Sequence, residues 1–135
     1  MRLLIILFIT LSSCTTIKVV NNFDENNLKE LLGKKITIQG KAINARLGAM
    51  LMVENNKIIW IDNKDNWPTG YYSEGFNGKT LKVTGILIEK YDLPVFIQKK
   101  GEPARSGMPV PEGTDLKEAS HRYLLENITW KVISD

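Results

Sequence analysis

The sequence predicts a mainly β fold, in which five strands form a small barrel with a short N-terminal helix and a long loop before the last strand. Three observations support this prediction. Apolar and polar residues alternate over several stretches of the 135-residue chain, as they do along strands. Two stretches, GKKITIQG at Gly33–Gly40 and GKTLKVTG at Gly78–Gly85, are nearly the same and close on glycine. No helices alternate with the strands, which argues against a parallel Rossmann-type sheet.

The N-terminus has the features of an export signal. Arg2 is followed by an apolar run, Leu3–Leu11, that is too short to span a membrane, and then by Ser12, Ser13 and Cys14. Leu11–Cys14 (LSSC) resembles the lipobox of bacterial lipoproteins. That resemblance implies a signal peptide over residues 1–13 and an acylated Cys14 at the mature N-terminus. The alternative is an ordinary signal peptide followed by a free thiol. A single cysteine also excludes an intramolecular disulfide framework and a multi-cysteine zinc site.

The charge balance argues against a nucleic-acid partner. Removal of residues 1–13 takes away Arg2 and leaves 17 basic against 15 acidic residues, a net charge of +2. Nucleic-acid binders concentrate positive charge on one face, and this excess is too small to predict that. The lipoprotein resemblance implies a lipid-anchored, periplasm-facing place in the bacterial cell envelope, with the membrane as one partner through the lipid on Cys14. We expect a monomer.

The sequence predicts the following elements from residue 14 onward. Residues 14–22 are expected to be a polar tether, and residues 23–135 the folded domain. Asp24 is the expected N-cap of a short helix, Phe23 and Leu28 form its hydrophobic staple, and Gly33 ends it. The predicted strands begin at Lys35 (about ten residues) and continue as Ala49–Glu54, Lys57–Asp62, Thr80–Glu89 and Arg122–Ile133.

The connections carry their own signals. Asn55-Asn56 predicts a tight hairpin, because asparagine tolerates the left-handed backbone. Tyr91–Ala119 contains four of the five prolines and is expected to be one long loop. In the last strand the alternation slips at Glu126-Asn127, which predicts a bulge.

The repeated octapeptide has three possible explanations. A duplicated domain would repeat more than one strand, and a phosphate-binding loop would place its glycines between a strand and a helix. Here the glycines bracket a strand. We therefore interpret Gly40 and Gly85 as structural glycines that let two neighbouring strands bend around a barrel.

Four stretches resemble small exported OB-fold domains of bacteria, and more narrowly a group of short uncharacterised bacterial proteins. They are GKAINARLGAM at Gly40–Met50, IWIDNKDNWP at Ile59–Pro68, GKTLKVTG, and YLLENITW at Tyr123–Trp130. The resemblance implies an OB-like β-barrel and brings no activity with it.

OB-folds commonly bind ligands across their second and third strands and the flanking loops. This map predicts a binding surface that consists of Arg46, Trp60, Trp67, Tyr71, Tyr72, His121 and Arg122. Each tryptophan has the alternative of a place in the core, since large aromatic side chains are mostly buried.

The sequence contains few residues that are candidates for catalysis. The one histidine, His121, lies three residues after Glu118 and would make an acid–base pair or half a metal site with it. Asp62–Asp65 begins like a calcium loop but lacks the glycine and glutamate that an EF-hand requires. Ser106 lacks the strand–turn–helix setting of a nucleophile. We predict no metal and no cofactor.

The sequence therefore predicts a non-enzymatic, membrane-anchored lipoprotein that binds a protein or glycan partner in the cell envelope. An immunity or inhibitor lipoprotein that neutralises a periplasmic toxin or hydrolase is the alternative. A hydrolase that uses His121 is a weaker one.

Overall fold

The computed structural model describes residues 15–72 and 78–134, and these residues form a mainly β fold with two short helices. The predicted mainly β class is confirmed. The elements, in chain order, are β1 (Lys18–Val19), α1 (Glu25–Leu31), β2 (Lys35–Ala45), β3 (Gly48–Met52), β4 (Ile58–Ile61), β5 (Thr80–Tyr91), β6 (Val95–Ile97), β7 (Met108–Val110), α2 (Leu116–Ala119) and β8 (His121–Ser134).

Six strands form one sheet in the order β1-β2-β3-β4-β8-β5, and β2 also pairs with β5. Each of β2, β3, β4, β8 and β5 therefore has at least two neighbours, and we call these five strands the strand circuit. Within it, β4 and β8 run parallel while the other pairs are antiparallel. Strands β6 and β7 form a separate parallel pair.

Helix α1 forms where its capping signals predict it. The Asp24 carboxylate accepts a hydrogen bond from the Asn27 backbone N–H at 2.8 Å, and that bond lowers the pKa of Asp24. Phe23, Leu28 and Leu31 are buried in the core. Gly33, at φ +77°, supplies the left-handed residue that ends the helix.

The two similar stretches lie side by side as β2 and β5. Ile36 pairs with Gly85, and Gly40 pairs with Leu81, so each closing glycine faces an apolar residue of the other strand. On the opposite edge of β5, the register with β8 shifts between Thr84 and Ile86, where Asn127 adopts φ +51°. The predicted adjacency of these strands and the bulge at Glu126-Asn127 are both confirmed.

The core lies inside the strand circuit and is covered on one side by α1. Its members share inward positions on β2, β3, β4, β5 and β8, for example Ile38, Leu51, Ile59, Val83 and Leu125. Trp67 belongs to the same cluster.

Two connections differ from the prediction. Residues 14–22 were expected to be a tether, yet Lys18–Val19 pairs with β2 and Val20 is only 3% exposed. The packed part of the chain therefore begins at Lys18 rather than at Phe23. Tyr91–Ala119 was expected to be one long loop, but it holds β6, β7 and α2. Pro109 is tolerated in β7 because β6 and β7 form a two-stranded sheet, in which each strand has one unpaired edge.

The hairpin after β3 is present, with a 3₁₀ turn at Glu54–Asn56 in which Asn55 and Asn56 both have φ near +57°. The predicted signal peptide (residues 1–13) and Cys14 lie outside the described residues. Within residues 15–72 and 78–134, no helix is both long and apolar enough to cross a membrane.

Candidate functional site

A cavity of about 300 Å³ opens between the β2–β3 turn and the segment of residues 92–120, which we call the β5–β8 segment. Its lining is largely apolar and includes one guanidinium group and one hydroxyl group. The lining residues are Ala45, Arg46, Leu47, Trp60, Pro94, Ser106, Gly107 and Met108. The cavity thus joins residues that are up to 63 positions apart in the chain.

Trp60 lines the cavity because its side chain lies on the outer face of β4. Along Ile58–Ile61 burial alternates, with Ile59 and Ile61 in the core and Ile58 and Trp60 half-buried on the outer face. The guanidinium carbon of Arg122 lies 5.2 Å from the centre of a Trp60 ring, within cation–π distance. Trp60 therefore contacts a charged residue and also lines the cavity.

Arg122 is itself fixed by Asp92. The guanidinium donates two hydrogen bonds to the Asp92 carboxylate, at 2.6 and 2.9 Å, and this pairing lowers the pKa of Asp92. At the next residue, the Leu93 backbone N–H donates a hydrogen bond to the Ser120 carbonyl at 3.1 Å. These bonds close the base of the β5–β8 segment. Arg122 thus positions Trp60 and the segment instead of offering its charge to a ligand.

Arg46 differs from Arg122 in having no described partner. Its side chain is exposed in the β2–β3 turn, and among residues 15–72 and 78–134 it makes no hydrogen bond, ion pair or ring contact. An unpaired guanidinium beside an aromatic ring and apolar walls is a suitable anchor for a carboxylate or carbonyl group of a ligand.

The outer face of β3 and β4 extends the cavity as an apolar surface. Met50 pairs with Trp60 and Met52 pairs with Ile58, and all four side chains are half-buried. We call these four residues the outer stripe. Both strands are apolar on both faces in the sequence, and the structure places one face in the core and the other on the outside. The outward-facing apolar residues of these two strands were the sequence signal for the outer stripe.

His121 lies at a different place from the cavity. Its Nε2 is 2.8 Å from a carboxylate oxygen of Glu89, and its ring contacts Tyr91 and Tyr123 at centroid distances of 4.8 and 4.7 Å. The partner predicted from sequence, Glu118, is replaced by Glu89, since pairing of β5 with β8 brings the two together across 32 residues.

Next to His121, Tyr123 links β8 to α1. Its hydroxyl donates a 2.8 Å hydrogen bond to a Glu25 carboxylate oxygen, and this bond lowers the pKa of Glu25 against a smaller opposing effect of burial. For Tyr123, burial raises the pKa first, and the hydrogen bond to Glu25 raises it further. The acidic, aromatic and imidazole groups here are engaged with one another.

Three aromatic residues of the predicted surface lie elsewhere. Trp67 is 1% exposed; its indole N–H donates to the Met50 carbonyl, and its ring packs edge-on against Trp130. The prediction that Trp67 belongs to a binding surface is therefore wrong, since the indole N–H finds its partner inside the core. Tyr71 packs against the core and Tyr72 is exposed, and neither lines the cavity.

The structure thus brings Arg46, Trp60 and Arg122 together, and separates them from Trp67, Tyr71, Tyr72 and His121. Sequence reasoning missed Leu47, Pro94, Met108 and the positioning role of Asp92. Among the described residues, no group of three His, Cys, Asp or Glu side chains is arranged to hold a metal ion. No protein-family model, curated protein or solved structure matches the chain.

Proposed function

We propose that this chain is a lipid-anchored, non-enzymatic binding module of the bacterial cell envelope that takes a protein partner at the cavity and the outer stripe. The observation that carries the proposal is the cavity itself: a largely apolar pocket whose lining includes Trp60 and the unpaired guanidinium of Arg46. Pockets that combine apolar walls with a few directed polar groups are typical of binding sites.

The pairing of the strands supports an OB-like barrel as the scaffold. The order β2-β3-β4-β8-β5, the return pairing of β5 with β2, and the parallel β4–β8 pair all agree with a five-stranded barrel of that kind. In this arrangement β3 and β4 are the second and third strands. The β2–β3 turn and the β5–β8 segment are then the two loops that flank the usual ligand face.

A protein partner suits the outer stripe better than a glycan. Met50, Met52, Ile58 and Trp60 offer apolar surface without side-chain groups that would bond to sugar hydroxyls, apart from the indole N–H. Methionine, tryptophan and arginine are enriched at protein interfaces, and methionine adapts its shape to different partners. The lipid anchor in the proposal rests on the LSSC sequence at Leu11–Cys14.

Site-specific photo-crosslinking in the producing bacterium tests the binding surface. A photoreactive residue replaces Leu47, which lines the cavity and is 38% exposed, and in a control it replaces Leu116, which is similarly exposed on α2. We expect a discrete protein adduct from position 47 and none from position 116. Equal adducts from both positions, or a glycan adduct, would contradict the proposal.

A charge change in the same background tests the role of Arg46. Arg46→Glu should lower the adduct yield about tenfold, since it replaces the anchoring cation by a repelling anion in the lining of the cavity. Lys99→Glu makes the same change at an exposed lysine outside the cavity lining and should leave the yield unchanged. Both positions are exposed, so neither variant is expected to unfold.

A further inference from the structure

Two lysines lie directly opposite each other on neighbouring strands. Lys82 of β5 pairs with Lys131 of β8, and we call these two residues the lysine pair. Two residues further along β5, Thr84 pairs with Thr129. Directly opposed residues have Cβ atoms about 5 Å apart, and like charges at such positions destabilise a sheet. The lysine pair therefore opposes folding unless a negative charge lies close to it.

The carboxylates of the protein do not supply that charge. In the described part of the chain, neither ammonium group of the lysine pair has an ion pair or a hydrogen bond. Glu126 is the acidic residue of β8 on the same face, and it pairs with Ile86. Ile86 is separated from Lys82 by about 13 Å of strand. The charges of the lysine pair are therefore uncompensated within the described residues.

A depression of about 270 Å³ lies at the lysine pair. Its lining residues are Lys82, Thr84, Thr129, Trp130 and Lys131. None of these is acidic, and none of them lines the cavity beside Trp60. Two ammonium groups and two hydroxyl groups therefore border one space that is large enough for a phosphate group.

Both hydroxyl groups can act as donors in the depression. Thr129 is exposed, and within the described residues its hydroxyl makes no hydrogen bond. The Thr84 hydroxyl lies 2.7 Å from that of Thr37, which is only 5% exposed on β2. When Thr37 donates this hydrogen bond, Thr84 keeps its own proton for an acceptor in the depression. The depression thus combines positive charge with directed hydrogen-bond donors.

Strand β2 carries a third lysine on the same face. Gln39 pairs with Lys82, and Lys41 shares the face of Gln39 because it lies two residues further along the strand. Diagonal neighbours such as Lys41 and Lys82 are about 7–8 Å apart. Lys41 is exposed and, in the part of the chain that the structure describes, has no ion pair or hydrogen bond. A line of three uncompensated charges therefore crosses β2, β5 and β8.

We propose that this face binds a ligand with linked phosphate groups, which places a terminal phosphate between Lys82 and Lys131 and further negative charge near Lys41. A terminal phosphate has three acceptor oxygens, so it accepts hydrogen bonds from both ammonium groups and from a threonine hydroxyl at once. A carboxylate has only two oxygens and one charge. Linked phosphates also reach Lys41, and this matters because a single exposed ion pair contributes little. The site is separate from the cavity and does not depend on the lipid anchor.

Isothermal titration calorimetry of the full chain, in a neutral detergent at low salt, tests the class of ligand. The probes are tripolyphosphate, inorganic phosphate and a tetraglutamate peptide, which carries its negative charge on carboxylates. We expect tripolyphosphate to bind about tenfold more tightly than either of the others. Equally tight binding of tetraglutamate would overturn the assignment to phosphate. Equally tight binding of inorganic phosphate would overturn the requirement for linked groups.

Matched variants separate the site from the overall charge of the protein. Lys82→Gln with Lys131→Gln should weaken tripolyphosphate binding about tenfold. Lys99→Gln with Lys100→Gln removes the same charge from two exposed lysines outside the depression and should leave the affinity nearly unchanged. Equal losses from the two double variants would show that net charge alone attracts the anion.

A third variant tests the directed hydrogen bond at constant charge. Thr129→Val keeps the shape of the side chain and removes its hydroxyl group, and we expect the affinity for tripolyphosphate to fall several-fold. An unchanged affinity would contradict a built phosphate site.

Thermal unfolding checks that the variants are folded. Without ligand, Lys131→Gln should melt at a higher temperature than the parent, because it removes the like-charge repulsion. Tripolyphosphate should raise the melting temperature of the parent but not that of Lys82→Gln with Lys131→Gln. The same increase in both proteins would place the anion elsewhere and overturn the proposal.

Discussion

Gly40 and Gly85 each lie where a neighbouring strand approaches the backbone too closely for a side chain. A Cβ atom at Gly40 would be 2.9 Å from the Met52 carbonyl oxygen. At Gly85 it would be 2.8 Å from the Glu126 carbonyl oxygen, opposite the bulge in β8. In both cases the obstacle is backbone, which cannot turn away as a flexible side chain does. The closing glycines of the two similar octapeptides therefore mark two places where a neighbouring strand approaches too closely for a Cβ atom.

Valine at either glycine should reduce stability without a selective effect on binding. We expect Gly40→Val and Gly85→Val each to lower the free energy of unfolding by about 1–3 kcal/mol or more, as overpacked sites do. Gln39→Val introduces the same side chain at an exposed position of β2 and should be close to neutral. Urea unfolding followed by tryptophan fluorescence measures all three. A Gly85→Val protein as stable as Gln39→Val would refute the close-crossing explanation.

At the scale of elements, α1 is held to β8 by apolar packing and by the hydrogen bond from Tyr123 to Glu25. Glu25 has a folded-state pKa below its ordinary value, so the bond stabilises the fold at pH values above the unfolded pKa near 4.5. That contribution is lost as the pH falls through the lowered folded pKa. Tyr123 has a raised pKa, so its contribution is complete below pH 10 and decreases as the pH rises further.

Tyr123→Phe should therefore destabilise the protein by about 1 kcal/mol at pH 7, and the difference from the parent should shrink below the pKa of Glu25. The ring remains to pack against His121, so only the hydroxyl is removed. Tyr91→Phe is the matched control, since its hydroxyl makes no hydrogen bond within the described residues. Urea unfolding at pH 7 and pH 3 gives the comparison. A constant difference at both pH values would show that the hydrogen bond is not the cause.

The elements that sequence predicted well are those with local signals. Asp24 as N-cap, the alternation of β2 and β5, the positive φ of Asn55 and Asn56, and the slip at Asn127 depend on neighbouring residues in the chain. The strands β1 and β7 were missed because two or three residues carry no period, and their pairing depends on partners elsewhere in the chain.

The site was predicted in part for the same reason. Arg46 and Trp60 follow from the expected ligand face of the fold, whereas the burial of Trp67 depends on the Met50 carbonyl that its indole reaches only after folding. The pairing of His121 with Glu89 depends on the register of β5 against β8. Residue spacing alone favoured Glu118, which lies closer in sequence.

At the scale of the whole molecule, the β5–β8 segment stands apart from the core. Of the described residues in the main core cluster, none belongs to residues 92–120. The segment contributes Pro94, Ser106, Gly107 and Met108 to the cavity, and its base is closed by the Leu93–Ser120 hydrogen bond and the Asp92–Arg122 pair. The strand circuit supplies stability, and the segment completes the cavity.

Replacement of residues 95–118 by a short Gly/Ser turn should therefore leave the fold intact and remove partner binding. Leu93 and Ser120 are already hydrogen-bonded to each other, so the shortened loop needs no rearrangement of β5 or β8. Loop closure changes by about 1 kcal/mol at this shortening, and we expect the melting temperature to change by only a few degrees. The crosslink from position 47 should disappear in the same protein. A fall in melting temperature of ten degrees or more would show that the segment belongs to the folding unit, and a retained crosslink would place the partner on the outer stripe alone.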